Sequence, residues 1–211
     1  GNKLLVVNWD EDGFEIKNFK DDDGKLRSRP QNLTYYFREG ITWSTISAGK
    51  ISFRYINNSI FETKGSVLFP NNERLEKIFG YVNSKVFQYL IEITSPTMDY
   101  HEGPVGMIPY CQFSNKVAEE IVNNCIDFSK IDWDSHETSW DFVHSPLINI
   151  TSTLGSSYKK WQEQLTEYFF QLHSNEEELN RIFIDIYGLQ EELTPEVALR
   201  DITILQDELD S

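Results

Sequence analysis

The sequence predicts an α+β fold, in which a small mixed β/α domain is followed by a long-helix C-terminal region. Three patterns lead to this prediction. Apolar and polar residues alternate between residues 50 and 69, as they do in β-strands. Apolar residues recur at steps of three and four within residues 84–94 and 115–124, as in amphipathic helices. The same helical spacing begins again at Ser156 and continues to Gly188, a residue type that commonly ends helices.

The elements of the N-terminal half follow from shorter signals. Residues 3–9 predict a short strand, and residues 10–32 predict loops around a short strand at 14–16. Residues 50–69 predict a β-hairpin with its turn at 57–59. Asn71 is a candidate N-cap for a short helix that Gly80 ends or bends. Residues 97–113 predict a short strand and loop.

Three parts of the chain differ in periodicity. We expect a first domain at residues 1–125, an irregular linker segment at 126–155 and a helical C-terminal region at 156–211. The helix of the last part carries a stripe that has the spacing of a buried face: Tyr158, Trp161, Leu165, Tyr168, Phe169 and Leu172. Thr194 and Pro195 resemble an N-cap and a first helical residue, which would start a short helix or a frayed end.

The composition is that of a folded globular protein. Of the 211 residues, 39% are hydrophobic and 14% aromatic, and no run of about 18 apolar residues could span a membrane. The two cysteines, Cys111 and Cys125, lack metal-ligand spacing, so we expect reduced thiols and a cytoplasmic location. The chain begins with Gly and shows no signal-peptide pattern, and we expect it to be a fragment of a longer protein.

The charge is strongly negative but unevenly distributed. The net charge is -15. Residues 1–70 hold ten basic and nine acidic residues, whereas residues 71–150 hold five and twelve and residues 151–211 hold four and thirteen. Because a DNA-binding surface needs positive charge to meet phosphates, only the N-terminal third suits that role. It contains four arginines: Arg27, Arg29, Arg38 and Arg54.

The sequence offers no self-contained catalytic site. It contains no Gly-rich phosphate-binding loop, no paired histidines at metal-ligand spacing and no Gly-x-Ser-x-Gly motif. The run of acids at 176–178 has the pattern of a solvated helix face. We therefore expect no catalytic, cofactor-binding or metal-binding residue in this chain.

The segment 35–64 is the candidate binding site for DNA. It places basic residues beside hydroxyl groups and aromatic rings, the groups that contact phosphates and base edges. The candidates are Arg38, Thr42, Ser44, Lys50, Arg54 and Lys64, with Trp43 expected in the core. The alternative is an ordinary core strand whose charges are simply solvated. The segment 95–110 is the second choice for the DNA-reading surface.

Several motifs occur in order along the chain, at residues 8–18, 35–55, 80–85, 105–109, 132–142 and 178–189. Together they resemble the C-terminal target-recognition region of adenine-specific N6 DNA methyltransferases. The resemblance is to the methyltransferases of BREX phage-defence systems and of type IIG restriction-modification enzymes. At one motif, Gly80-Tyr81-Val82-Asn83-Ser84-Lys85, Val82 replaces the Leu that is usual in the family.

The resemblance implies a DNA-reading role without chemistry of its own. The family's catalytic motif, Asn/Asp-Pro-Pro-Tyr/Phe, and its S-adenosylmethionine loop do not occur in this chain. The intact parent would use S-adenosylmethionine, and the partners would be double-stranded DNA, the parent's catalytic domain and other defence-system subunits. Two alternatives stay open: an acidic helical scaffold that docks other subunits without touching DNA, and an acidic DNA mimic.

Overall fold

The fold is α+β, as the sequence predicts. The computed structural model describes residues 6–47, 49–62, 64–71, 74–148 and 153–204. In these ranges one three-stranded antiparallel sheet packs against helices. The strands are β1 (Gly40–Ser44), β2 (Phe53–Ile56) and β3 (Gly65–Leu68). The helices are α1 (Asp10–Asn18), α2 (Leu75–Val82), α3 (Lys85–Thr94), α4 (Glu102–Met107), α5 (Lys116–Asp134) and α6 (Leu154–Tyr187), with short 3-10 turns at Leu33–Tyr35 and Leu199–Asp201.

The strand order in the sheet is β2-β1-β3. Thr42 in the middle of β1 lies opposite Arg54 of β2 on one side and Val67 of β3 on the other. The predicted hairpin at 50–69 is therefore wrong in its pairing, because both of its strands pair with β1 and not with each other. Local turn signals do not report which distant strand will complete a ladder.

One face of the sheet is the core face. Ile41, Trp43 and Phe53 are buried there, and α2 contacts both β1 and β2. The Nε1 atom of Trp43 donates a hydrogen bond of 2.7 Å to the carbonyl oxygen of Tyr100. The expectation that Trp43 belongs to the core is confirmed.

Helix α2 packs closely on α5. Gly80 lies within α2, so of the two expected effects it does not end the helix. A β-carbon at position 80 would lie 2.7 Å from Cγ2 of Val122, so the glycine is needed for this close helix contact. The helix also begins at Leu75, after the predicted cap at Asn71. Helix α3 matches the helical spacing predicted within residues 84–94, and Ser84 caps it by accepting a hydrogen bond from the Phe87 N–H.

Helices α5 and α6 form an antiparallel pair. The Phe128 and Tyr168 rings stack at 4.8 Å, and further along Val122 and Phe183 meet at Gly80. Helix α5 continues to Asp134, so residues 126–134 of the expected irregular linker are helical. Within this stretch Phe128 stacks on Tyr168 of α6, and local periodicity does not reveal such a partner. The division into domains at 125 and 155 remains a prediction.

The long helix α6 is continuous from Leu154 to Tyr187 and ends at Gly188, which is left-handed with φ 67°. The stripe on this helix is only partly buried. Leu165, Phe169 and Leu172 are in the core, Trp161 and Tyr168 are half-buried, and Tyr158 is exposed. After the helix, residues 195–198 do not form the short helix that was one of the two expectations for this segment. They lie along α6 instead, where the Val197 N–H donates to Oε1 of Glu177 at 3.0 Å.

Three further predictions, two N-terminal and one central, fail within the described residues. The segment 10–18, expected to be loop and strand, is the helix α1, whose residues Glu11, Asp12 and Gly13 have left-handed backbone angles. A strand was expected at residues 3–9, but residues 6–9 form none, and residues 3–5 lie outside the described residues. The strand expected within 97–113 is replaced by α4, in which Pro104 occupies the first turn, where a missing N–H costs nothing. Among the described residues, no helix has both the length and the apolar character needed to cross a bilayer.

Candidate nucleic-acid interface

The face of the sheet opposite the core carries most of the predicted contact residues. Side chains alternate between faces along a strand, and directly paired residues share a face. Since Ile41 and Trp43 point to the core, Thr42 and Ser44 point to the other side, together with Arg54, which pairs with Thr42. We call this side the outer face.

The polar groups of the outer face hold one another in place. The Arg54 Nη2 donates a hydrogen bond of 2.9 Å to Oγ of Ser44. The hydroxyl of Thr42 donates at 2.9 Å to the carbonyl oxygen of Ser66 in β3. Arg54 is half-buried and Ser44 is exposed. Thr42 and Ser44 are therefore linked to their neighbours, and the Arg54 guanidinium lies across the sheet with part of its surface open to solvent.

Arg38 lies at one end of this face, on a pair of aromatic rings. Its guanidinium carbon is 5.0 Å from the ring centroid of Tyr35 and 5.6 Å from that of Phe69. The two rings are 5.0 Å apart. Phe69 belongs to the outer face because it follows Gly65 and Val67 in alternation, and its ring lies beside Gly40. Arg38 itself is exposed.

The acids next to the sheet are attached to its core face. Tyr55, opposite the buried Ile41, donates a hydrogen bond to the carboxylate of Glu39. Ser66, which pairs with Trp43, donates to Glu102. The pKa of Tyr55 is raised to about 12, mainly by burial and to a lesser extent by its hydrogen bond to Glu39. The Ser66 hydrogen bond lowers the pKa of Glu102, which keeps that group ionised. Both carboxylates are thus hydrogen-bonded by residues that alternate onto the core face.

The two lysines are placed differently. The carbonyl oxygen of Lys64 accepts a hydrogen bond from the Thr45 N–H, which places Lys64 at the end of the sheet far from Arg38. Lys64 is exposed there. Lys50 is also exposed, and its Nζ lies 4.0 Å from a carboxylate oxygen of Asp201 in the C-terminal segment. The fold therefore brings Arg38, Thr42, Ser44 and Arg54 onto one face and places Lys50 and Lys64 beyond its other end.

The second-choice segment has a different character. Residues 95–110 contain Asp99 and Glu102 but no lysine or arginine, and they include α4. A shallow cavity of about 250 Å³ opens there beside Ser95 and Tyr100. Its lining includes Glu92, and an acid repels phosphate.

Sequence reasoning missed the ring pair under Arg38. In the sequence Tyr35 is one of several aromatic residues in its segment, and Phe69 lies 31 residues after Arg38. The alternation of Gly65, Val67 and Phe69 is a signal that could have placed Phe69 on the same face as Thr42. The contact between Phe69 and Arg38 depends on the pairing of β1 with β3, which no local pattern specifies.

The comparisons with known proteins agree with the motif resemblance. No protein-family model matches the chain. The chain is 38% identical over 213 aligned residues to the adenine-specific methyltransferase PglX of Lacticaseibacillus casei strain Zhang. It is 30% identical over 198 residues to the adenine-specific methyltransferase BrxX of Escherichia coli O9:H4 strain HS. These alignments cover 97% and 92% of the chain but only 18% and 16% of the two relatives. The expected resemblance is confirmed: the chain is homologous, over nearly its whole length, to less than a fifth of each of these adenine-specific methyltransferases.

Proposed function

We propose that this chain is the target-recognition part of an adenine-N6 DNA methyltransferase of the BREX or type IIG kind. One observation carries the proposal. The outer face presents Arg38 and Arg54 with two hydroxyl groups, while the neighbouring acids Glu39 and Glu102 are bonded from the core face. Positive charge and hydroxyl donors on one solvent-facing surface suit a phosphate backbone and the base edges of a groove.

The chemistry of the proposed enzyme resides outside this chain. Methyl transfer from S-adenosylmethionine to an adenine requires that the target base leave the helix stack. The two arginines and the Ser44 hydroxyl of the outer face can donate hydrogen bonds, and they hold and orient the duplex, whereas the Thr42 hydroxyl already donates to Ser66. The partners of this chain are then double-stranded DNA and the catalytic domain of the same methyltransferase, together with other subunits of a defence system.

The first test measures duplex DNA binding by the chain across a salt series between about 50 and 200 mM. Binding should be weak, because the net charge of -15 repels phosphate, and it should fall steeply with salt, because it depends on basic side chains that meet phosphates. Arg54→Ala and Lys64→Ala should each reduce the salt slope by about one unit if each cation meets a phosphate.

Arg181→Ala is the matched control, since Arg181 is exposed on α6 and pairs with Glu178. It should bind DNA as the unmodified chain does. If the Arg54 and Lys64 variants bind DNA as tightly as the unmodified chain and keep the same salt slope, the proposed function is wrong.

The second test assays methylation by the chain alone, with labelled S-adenosylmethionine and DNA. No incorporation above background is expected, because the catalytic motif of the resembled family is missing from the sequence. Incorporation would place a catalytic site within this chain and contradict the proposal.

A protein-docking scaffold is the second candidate, and a separate observation favours it. Large apolar side chains are exposed in and after the C-terminal turn of α5 and at the start of α6, namely Trp133, Trp140, Val143 and Leu154. Exposed apolar groups of this size commonly mark interaction surfaces. Loss of complex formation with other defence-system subunits on substitution of Val143 and Leu154 by Ser, with DNA binding unchanged, would favour the scaffold.

A further inference from the structure

The two arginines of the outer face are held in different ways. Arg54 is half-buried, and its Nη2 is engaged with Oγ of Ser44. Arg38 is exposed and rests on the Tyr35 and Phe69 rings. In the part of the chain that the structure describes, the Arg38 guanidinium has no acidic partner and no hydrogen bond. Of these two arginines, Arg38 is therefore the one that keeps its whole N–H edge available to a ligand.

A guanidinium on aromatic rings is restrained without losing its donors. The rings contact the flat face of the group and attract its charge, whereas the N–H groups point outward in the plane. A long arginine side chain normally loses rotational freedom when it binds. Contact with Tyr35 and Phe69 removes part of that freedom beforehand, so Arg38 is partly oriented before any ligand arrives.

The ring pair depends on a glycine in β1. A β-carbon at position 40 would lie 3.0 Å from Cε1 of Phe69 and 2.9 Å from Cγ1 of Val67. Only a residue without a side chain allows the Phe69 ring to approach the strand this closely. Gly40, Phe69 and Tyr35 thus act together to place Arg38 at the end of the outer face.

We infer that Arg38 reads a guanine in the recognised sequence, with Tyr35 and Phe69 as positioning residues. This inference rests on the proposed function. The planar fork of arginine matches the O6 and N7 acceptors of guanine in the major groove, which it contacts with two parallel hydrogen bonds. Arg54, whose Nη2 is already engaged by Ser44, holds the backbone of the duplex and does not select a base.

The experiment uses the complete methyltransferase that carries this chain. Methylation is measured on its own site and on duplexes in which each base pair of that site is exchanged in turn. Arg38→Ala and Arg38→Lys should both relax discrimination at one G·C pair, by roughly 5- to 150-fold. Lysine keeps the charge but lacks the fork, so its failure to restore discrimination separates base reading from simple attraction.

The ring pair is tested with two substitutions of Tyr35. Tyr35→Leu, which removes the aromatic face, should relax discrimination at the same base pair as Arg38→Ala. Tyr35→Phe keeps the ring and should behave as the unmodified enzyme. Rescue by phenylalanine distinguishes a positioning role from general loss of structure, which thermal melts of each variant also monitor.

The outcomes separate this inference from the proposed function. If Arg38→Ala and Arg38→Lys leave discrimination unchanged at every position while Arg54→Ala weakens DNA binding, the inference is overturned and the proposed function stands. If the relaxed position is an A·T pair, the guanine assignment is wrong. If neither Arg38→Ala nor Arg54→Ala changes binding or methylation relative to Arg181→Ala, the proposed function fails as well.

Discussion

The ring of Phe69 occupies the space beside Gly40 that a β-carbon would need, with its Cε1 3.0 Å from that position. This contact joins the start of β1 to the residue after β3. It also supports the guanidinium of Arg38, 5.6 Å above the Phe69 ring. A substitution of Gly40 should therefore disturb both the packing of the sheet and the position of Arg38 in the candidate interface.

Gly40→Ala should destabilise the chain by about 1–3 kcal/mol, the usual cost of adding a methyl group to a close-packed contact. The new atom would also meet the carbonyl oxygen of Leu68 at 3.0 Å, and backbone atoms cannot move aside cheaply. Urea unfolding of both proteins measures the difference. Gly155→Ala is the control, because nothing lies within 4 Å of that site. Equal effects of the two substitutions would contradict the packing described.

Phe169 and Phe170 are adjacent on α6 but differ in burial, at 4% and 55% exposed. Phe169→Ala should cost about 3–5 kcal/mol, because it leaves a cavity beside Leu172 and Ile202. Phe170→Ala should change stability by well under about 1 kcal/mol, as exposed substitutions usually do. Denaturation midpoints of the two variants test this pair. A larger loss for Phe170 would mean that the helix presents the opposite face to α5.

Trp161→Ala should destabilise the chain less than the sequence pattern alone predicts. Full burial would predict a loss of about 3–5 kcal/mol for Trp161→Ala. The side chain is half-buried, so the loss should be clearly smaller than that for Phe169→Ala. Thermal melts of both variants under one set of conditions make the comparison. A Trp161 variant as unstable as the Phe169 variant would contradict this order.

Glu176 should make stability fall as pH rises from about 4.5 to about 7. Burial raises the pKa of its carboxyl group to about 7, with a smaller raising effect from Asp201 and an opposing one from His173. The folded state therefore retains a proton that the unfolded chain has lost above its ordinary pKa. The contribution is fully present below about pH 4.5 and is lost as pH rises through about 7.

Unfolding free energies at several pH values between about 5 and 8 would reveal this slope. Glu176→Gln keeps the shape without the charge and should be more stable than the unmodified chain at the upper end, by roughly 1–3 kcal/mol. Glu178→Gln is the control, because Glu178 is more exposed and pairs with Arg181 on the same helix. A Glu176 variant with an unchanged pH profile would show that this carboxyl group is not responsible.

The two cysteines should differ in reactivity. Both are free thiols, but Cys111 is exposed, whereas burial raises the pKa of Cys125 to about 12. The thiolate is the reactive form, so Cys125 should resist alkylation at mildly basic pH. Iodoacetamide followed by mass spectrometry should find one rapid modification, at Cys111, and Cys111→Ser should abolish it. Rapid labelling of Cys125 in the folded chain would contradict its burial.

Local signals accounted for the elements that depend on neighbouring residues. Ser84 caps α3, Gly188 ends α6, and the apolar spacing before Gly188 is helical in the structure. Elements that depend on distant partners were predicted less well. Strand β1 pairs with β2 and with β3, the two strands in the region of the expected hairpin. Helix α5 continues past residue 125, where its Phe128 stacks on Tyr168 of α6.

The candidate interface shows the same division. Its six residues are close in the sequence, and hydroxyl and basic side chains could be identified there without a structure. Which of them share a face depends on parity along β1 and on the register of its two partners. Lys50 precedes β2 and Lys64 precedes β3, so both lie beyond the end of that face.

The sequence by itself determined the α+β class, the position of the long helix and the resemblance to adenine-specific methyltransferases, because composition, helical period and motif order are properties of the chain. Only the tertiary structure decided that Arg38 rests on Tyr35 and Phe69, whereas Arg54 is bonded to Ser44. Strand pairing brings residues together that lie far apart in the sequence, and the free energy that selects one pairing comes from packing of the whole core and not from any local segment.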